Sequence, residues 1–239
     1  ITGLEPGYYV AVEAKAPTGY LVSENNQQNG FLKPDGTTVL EYSFSNYPYG
    51  SLHIQKVNAK TDEPLAGARF KVTTPNGTVV GSTNGEYVSD RNGEVLLSGL
   101  KPGAYVVAEL AAPQGFVLEL TPKTVQIGTD GKTYKLTFEN QPKGSLRVLK
   151  LDRESRQPLE SVRFEIAKLN GEVIGNYTTN VKGEIEISSL DSGWYSVTEK
   201  SVPAPYILDG TPRVIEVKNG EISTIEMHNS KKSSLIILK

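Results

Sequence analysis

The chain has 239 residues, with 25 basic and 27 acidic side chains and no cysteine. This near balance of charge argues against a surface for nucleic acid or anionic membrane, which would need clustered Lys and Arg. No apolar run approaches the roughly 20 residues of a membrane span. We therefore expect neither nucleic acid nor membrane as a partner of this segment. Without cysteine, a secreted chain would need another kind of staple or a good core.

Glycine and proline punctuate the whole chain. The 23 Gly and 14 Pro separate short runs rich in Val, Ile, Tyr and Thr. Runs of this kind, bounded by turn residues at intervals of about 8–12 positions, are typical of all-β proteins. No segment shows the 3.6-residue apolar period of an amphipathic helix. We therefore predict an all-β fold. The chain opens at Ile1 without a signal peptide, and we expect it to be part of something longer.

Three blocks of sequence recur along the chain, and each copy supplies one Lys, one Glu or one Asn. The copies are Lys56, Lys150 and Lys239; Glu13, Glu109 and Glu199; and Asn46, Asn140 and Asn229. Successive Lys copies are 94 and 89 residues apart, and successive Asn copies have the same two spacings. Equal spacings of separate blocks indicate a tandem repeat of one structural unit.

This period divides the chain into four parts. We predict the C-terminal part of one repeat at 1–48, complete repeats at 49–142 and 143–231, and the first strand of a further repeat at 232–239. Each joint between them is only about four residues long, which restricts swing between neighbours. We therefore expect tandem β-sandwich domains in an extended, semi-rigid rod, with neighbouring repeats of the same chain as partners.

Three polar side chains of each complete repeat fall on the wrong face of their strands. Side chains alternate between the two faces of a strand. Lys150 shares a face with Leu146 and Val148, and the apolar face must be the core. The same parity applies to the Glu and the Asn of each repeat. The inward-facing sets are Lys56, Glu109 and Asn140 in one repeat and Lys150, Glu199 and Asn229 in the next.

A buried Lys, Glu and Asn that meet would form a reactive group. Desolvation lowers the pKa of a buried lysine and raises that of a buried carboxyl. A neutral amine can then attack the Asn side-chain carbonyl, while the Glu polarises that carbonyl and shuttles protons, and ammonia leaves. The product is a Lys–Asn isopeptide bond. The alternative is a buried Lys–Glu ion pair with the Asn merely hydrogen-bonded to it, or a Lys that reaches water at the strand end.

Two stretches carry a family resemblance. Residues 56–70 resemble the opening of a Cna B-type repeat, also called SpaA-like or prealbumin-like, found in Gram-positive adhesins and pilins. Residues 105–116 are similar to the "E-box" of those proteins, a Tyr-x-x-x-Glu-x-x-Ala-Pro-x-Gly-aromatic pattern, and residues 9–20 match it as well. The segment after Glu199 departs from this pattern because its Ala-Pro-x-Gly spacing is lost.

The resemblance implies Ig-like, prealbumin-like β-sandwiches in which the first-strand Lys joins the last-strand Asn. The E-box acid would be the catalyst. This makes Glu109 and Glu199 the catalytic residues of the two complete repeats. Glu13 and Asn46 lack a Lys, and Lys239 lacks the other two groups, so these incomplete repeats cannot close a bond of their own.

The function implied is a structural stalk segment of an exported, cell-wall-anchored surface adhesin, with the anchor in a region outside this segment. The alternatives are a module that recognises a host or matrix protein through exposed loops or an edge strand, or a pilin shaft subunit. We expect no enzyme acting on external substrates, because the only predicted chemistry is internal and occurs once.

No cofactor or metal site is predicted. Asp90 to Glu94 hints at a calcium loop, but the ligand series is short and lacks the distal acid, which favours a β-turn. His53 and His228 face outward by parity and lie in different repeats, so they do not indicate a metal or catalytic histidine site.

Overall fold

The computed structural model describes residues 1–233 and 235–237 of the chain. Within these residues it contains 18 strands and no helix long and apolar enough to cross a membrane. The predicted all-β class is confirmed. The strands are β1 Gly7–Val12, β2 Tyr20–Leu21, β3 Gln27–Leu32, β4 Tyr47–Pro48, β5 Gly50–Asn58, β6 Arg69–Thr73, β7 Glu86–Val88, β8 Glu94–Leu100, β9 Gly103–Ala111, β10 Lys123–Ile127, β11 Thr133–Asn140, β12 Gly144–Asp152, β13 Arg163–Lys168, β14 Val173–Thr178, β15 Glu184–Leu190, β16 Gly193–Ser201, β17 Arg213–Val217 and β18 Ile222–Asn229.

Strands β12 to β18 form two sheets. A three-stranded sheet has the order β15-β12-β18, and a four-stranded sheet has the order β14-β13-β16-β17. The first strand, β12, runs parallel to the last strand, β18, with Lys150 beside Met227 and Asp152 beside Asn229. All the other pairings in this repeat are antiparallel. Two strands far apart in sequence are therefore neighbours in the sheet.

Strands β5 to β11 repeat this plan. Their sheets have the orders β11-β5-β8 and β10-β9-β6-β7. Their core contains Phe70 and Phe138, whose rings meet edge to face with centroids 5.0 Å apart. Burying one such side chain fully stabilises the fold by about 1.5–3 kcal/mol. The two-sheet plan predicted from the sequence is thus present in both repeats.

The first strand of each complete repeat is the most regular element. Burial alternates at every residue of β12, and the inward face carries Leu146, Val148 and Lys150. This strand begins at Gly144. Any other residue there would have a Cβ that collides with the Val217 side chain and the Lys218 carbonyl. A glycine at this position therefore allows β12 to enter the sheet close to the end of β17.

Residues 1–48 contain less regular structure. They form the antiparallel pair β1 and β3, and β2 pairs with β4. The strand expected over Tyr42 to Asn46 is not formed. In the complete repeats this strand lies beside the first strand, and the described residues of 1–48 include no first strand to pair with it.

The expected first strand at 232–239 is only partly within the described residues. Residues 232, 233 and 235–237 adopt no strand. Leu235, Ile236 and Ile237 are exposed. Lys239, which the repeat pattern assigns to this strand, lies outside the described residues.

Candidate cross-link sites

The second complete repeat brings Lys150, Glu199 and Asn229 together inside its core. Lys150 comes from β12, Glu199 from β16 in the other sheet, and Asn229 from the last position of β18. The Lys150 Nζ lies 2.6 Å from Glu199 Oε2, and Asn229 Nδ2 donates to Glu199 Oε1 at 3.0 Å. The three residues are at most 2% exposed. One carboxyl group thus contacts both the amine and the amide.

Burial changes the electrostatics of this cluster. It lowers the pKa of the Lys150 ammonium below its usual value, and the hydrogen bond and charge of Glu199 oppose the shift. The Phe164 ring, 5.7 Å from Nζ, contributes to the apolar surroundings of the amine. A lowered pKa favours the neutral amine, which is the nucleophilic form of lysine.

The Asn229 amide is held by a contact that the sequence analysis missed. Its Nδ2 also donates to the main-chain carbonyl of Ile207 at 2.6 Å. The Asn229 Oδ1 is buried, and no hydrogen-bond partner for it occurs among the described residues. The Asp209 N–H donates to Glu199 Oε1 at 3.4 Å. No side-chain signal could have found the Ile207 carbonyl, because every residue carries one.

This arrangement corrects one expectation from the sequence. The Glu was expected to polarise the carbonyl of the Asn. In the structure, Glu199 Oε1 accepts a hydrogen bond from the amide nitrogen of Asn229 instead. The reason is that the Ile207 carbonyl can only accept a hydrogen bond, so the donor end of the amide turns toward it, and the same nitrogen reaches Glu199 Oε1.

The first complete repeat buries the corresponding residues. The Lys56 Nζ lies 3.4 Å from Glu109 Oε1, and both side chains are fully buried. Asn140 is also buried and ends β11, the neighbour of β5 in the sheet. The Ala59 N–H donates to the Asn140 carbonyl at 2.9 Å. This bond places the end of β11 beside the residues that follow β5.

Residues 1–48 contain two members of the predicted set. The Asn46 Nδ2 donates to Glu13 Oε1 at 2.8 Å, which matches the Asn229 to Glu199 contact. Both residues are partly buried. Within the described part of the chain, Glu13 forms no ion pair, and Lys239 is not among the described residues. The Glu–Asn pair therefore forms here without the extended last strand.

Other candidate groups have structural partners. The Asp90 carboxylate accepts from the N–H groups of Asn92 and Glu94 at 2.9 Å each, as in a turn. His53 lies 3.3 Å from Glu94, and His228 lies 3.0 Å from Glu226. Across residues 1–233 and 235–237 no group of three or more His, Cys, Asp or Glu is arranged to hold a metal ion.

Comparison with known proteins gives the family. The family profile described as "SpaA: Prealbumin-like fold domain" matches residues 50–142 and again residues 144–231. These two matches cover well over half of the chain and coincide with the two sandwiches.

Curated relatives come from staphylococci. Serine-aspartate repeat-containing protein F of Staphylococcus epidermidis is 21% identical over 238 residues, which cover 89% of this chain and 13% of that protein. Collagen adhesin of Staphylococcus aureus is 34% identical over 78 residues, which cover 30% of this chain and 7% of that protein. The chain thus spans only a small part of the length of these relatives.

Matches among solved structures include the Bacillus anthracis TIE protein. It is 27% identical, with a TM-score of 0.47, and the match covers 95% of this chain and 43% of that one. The shaft pilin SpaA of Lactobacillus rhamnosus GG is 13% identical, with a TM-score of 0.49, over 79% of this chain and all of that one. The predicted resemblance to SpaA-like repeats is confirmed by the profile match over both sandwiches. The chain belongs to the family of SpaA prealbumin-like fold domains.

Proposed function

We propose that this chain is a stalk segment of a Gram-positive surface adhesin, in which each complete repeat is stapled by an autocatalytic Lys–Asn isopeptide bond. The observation that carries the proposal is the buried cluster of Lys150, Glu199 and Asn229, with contacts of 2.6 and 3.0 Å. The corresponding Lys56, Glu109 and Asn140 are buried in the preceding repeat.

The reaction follows from the contacts in the second repeat. Glu199 first takes a proton from the Lys150 ammonium, which leaves a neutral amine beside a neutral carboxyl. The Lys150 Nζ then attacks the Asn229 Cγ, forming the new N–C bond, and its next proton replaces the one that Glu199 gives up. The carboxyl group of Glu199 returns a proton to Asn229 Nδ2, the Cγ–Nδ2 bond breaks, and ammonia leaves. Atoms and charge balance without a cofactor. The reaction occurs once per repeat and uses no external substrate.

A covalent product explains the buried charges better than an ion pair alone. Removing an ammonium and a carboxylate from water costs several kcal/mol per ion, and attraction between them repays this only with excellent geometry. The amide product carries no charge on the lysine nitrogen. It also removes the need to keep two opposite charges inside each of two cores.

The bond would join the first strand of the repeat to the last. Lys150 and Asn229 are 79 residues apart, and closing a loop of that length stabilises the fold by about 4–5 kcal/mol by analogy with disulfides. Because β12 and β18 are parallel neighbours, force entering β12 would pass into β18 through covalent bonds. A chain without cysteine would thereby gain a staple suited to mechanical load.

The intact mass of the purified chain tests the proposal. We expect a mass short by two molecules of ammonia, one for each complete repeat. Glu199→Ala should restore one ammonia and Glu109→Ala the other, because each removes the proton carrier of one site. Glu186→Ala is the matched control, since Glu186 is an exposed β15 residue paired with Arg147. A full calculated mass for the parent chain would refute the cross-links and leave buried ion pairs.

The location and assembly of the whole protein are part of the proposal. We place this segment outside the cell, anchored to the wall through another region of the protein. The same cross-linked repeats would also suit a pilin shaft subunit.

A second candidate function is recognition of a host or matrix protein. It is favoured by the 34% identity to the collagen adhesin, a relative whose name includes a matrix protein. Saturable binding of the chain to immobilised collagen would support this function, and its absence would leave the stalk as the proposed role.

A further inference from the structure

The side-chain amide nitrogen of Asn229 donates hydrogen bonds to two acceptors. Nδ2 donates one hydrogen to Glu199 Oε1 at 3.0 Å and the other to the Ile207 carbonyl at 2.6 Å. An amide nitrogen has two hydrogens, so both are used. The other end of the amide, Oδ1, has no partner among the described residues.

The Ile207 carbonyl decides which way this amide points. A main-chain carbonyl can accept a hydrogen bond but cannot donate one. With the amide turned over, Oδ1 would face the Ile207 oxygen at hydrogen-bond distance with no hydrogen between them. A carboxyl group can accept a hydrogen bond or, when it carries a proton, donate one, so Glu199 does not impose a direction by itself.

The local backbone holds this carbonyl in place. The Ile207 N–H donates to the Ser230 carbonyl at 2.9 Å, one residue beyond Asn229. In the preceding repeat, the Val117 N–H makes the same bond at 2.9 Å to the carbonyl of Gln141, one residue beyond Asn140. In both repeats, therefore, the segment that follows the E-box strand lies beside the end of the last strand, and the two segments pair in the same register.

We propose that the Ile207 carbonyl is a positioning group for the cross-linking reaction and restricts the acceptor to a carboxamide. This inference rests on the proposed function. With the amide so oriented, Glu199 contacts both the Lys150 nitrogen that loses a proton and the Asn229 nitrogen that gains one. An aspartate at position 229 would place a carboxylate oxygen against the Ile207 oxygen, and two acceptors repel.

A backbone ester provides the direct test. Replacing Leu208 by its α-hydroxy analogue in cell-free synthesis of the full chain makes the carbonyl of residue 207 an ester carbonyl, which is a weaker acceptor. No hydrogen bond from the Leu208 N–H occurs in the described part of the chain, so the ester removes no other bond. Samples quenched at intervals would be digested, and each cross-linked peptide pair would be quantified by mass.

The bond of the preceding repeat serves as an internal control for folding. We expect the Lys150–Asn229 bond to form about tenfold more slowly in the ester variant, as for loss of one good hydrogen bond, with the Lys56–Asn140 bond unaffected. An unchanged Lys150–Asn229 rate in the ester variant would overturn the role of Ile207 and leave the proposed function intact. Absence of the bond in the parent chain would instead refute the proposed function for this repeat.

A second variant tests the acceptor restriction. Asn229→Asp is nearly isosteric, and we expect it to lose no water in the second repeat at neutral pH, while the preceding repeat still loses ammonia. The thermal transition of the variant shows whether the repeat has folded. A folded variant that forms the bond with loss of water at the parent rate would overturn the restriction.

Discussion

The two complete repeats bury the same three polar residues but differ two positions after the lysine. In the first repeat this position is Asn58, whose side chain accepts from the Lys60 N–H at 2.9 Å. In the second it is Asp152, which accepts from the Tyr206 hydroxyl at 2.8 Å and lies 3.3 Å from Lys231 Nζ. The two repeats thus share the buried Lys, Glu and Asn but differ at the end of their first strands.

The difference extends to the aromatic residue of the E-box loop. Phe116 forms a bridge to Pro142 in the first repeat, and Tyr206 forms the corresponding bridge to Lys231 in the second. The backbone bridges correspond, and in the second repeat Tyr206 and Lys231 also contact the Asp152 carboxylate. Because a charge network responds to pH, the two repeats should respond differently to acid.

The largest expected effect on stability comes from disrupting the buried Lys, Glu and Asn cluster that both repeats share. Lys150→Met leaves Glu199 buried without its partner and removes the proposed staple. We expect the second repeat to lose about 4–5 kcal/mol, the stabilisation assigned above to closing the loop between Lys150 and Asn229. Calorimetry that resolves the two unfolding transitions would measure this, with the first repeat as the reference.

A double variant sharpens the result. Lys150→Met combined with Glu199→Gln removes both ionisable groups, and we expect it to recover part of the loss because no unpaired carboxyl remains in the core. Equal stability of the single and double variants would contradict a destabilising role for the unpaired Glu199 carboxyl.

The next effect tests where the repeats differ. Hydrogen bonds from the Ser155 N–H and the Tyr206 hydroxyl, and the nearby Lys231, hold the pKa of Asp152 well below its usual range. A lowered carboxyl pKa stabilises the fold above the unfolded value of about 3.9, and this contribution is lost as pH falls below it. Asp152→Asn should therefore weaken the acid sensitivity of the second repeat. Unfolding temperatures measured from neutral to acidic pH would check this, and an unchanged pH profile would contradict it.

The smallest expected effect on stability comes from a substitution that makes the second repeat more like the first. Tyr206→Phe introduces the residue type found at Phe116 and removes one hydrogen bond to Asp152. We expect a loss of about 1 kcal/mol in the second repeat. Denaturant unfolding would measure it. The reciprocal Phe116→Tyr should bring no matching gain, because the position equivalent to Asp152 is Asn58 in the first repeat.

Much of the fold could be predicted because strand geometry is local. Alternation along Leu146, Val148 and Lys150 is a property of the extended backbone, so the burial of β12 follows from reading every second residue. The equal spacing of the repeated blocks then extended this prediction from one complete repeat to the other. Residues 42–46 show the limit of this reasoning, since a strand needs a neighbour to pair with and the pattern alone does not supply one.

The site was predictable only in part. Side-chain type and parity point to Lys150, Glu199 and Asn229, because burying such groups is costly and therefore noticeable. The direction of the Asn229 amide was not predictable, since it depends on a main-chain carbonyl at Ile207 that has no signature in the sequence.

By itself, the sequence determined the all-β class, the repeat period and the inward direction of one Lys, one Glu and one Asn in each complete repeat. These follow from residue spacing and from the two-residue period of a strand. Only the tertiary structure decided that β12 and β18 are parallel neighbours, that Glu199 of the other sheet contacts both Lys150 and Asn229, and that Ile207 turns the amide. The physical reason is that contacts between residues distant in the chain depend on strand pairing and sheet packing, which no local pattern specifies.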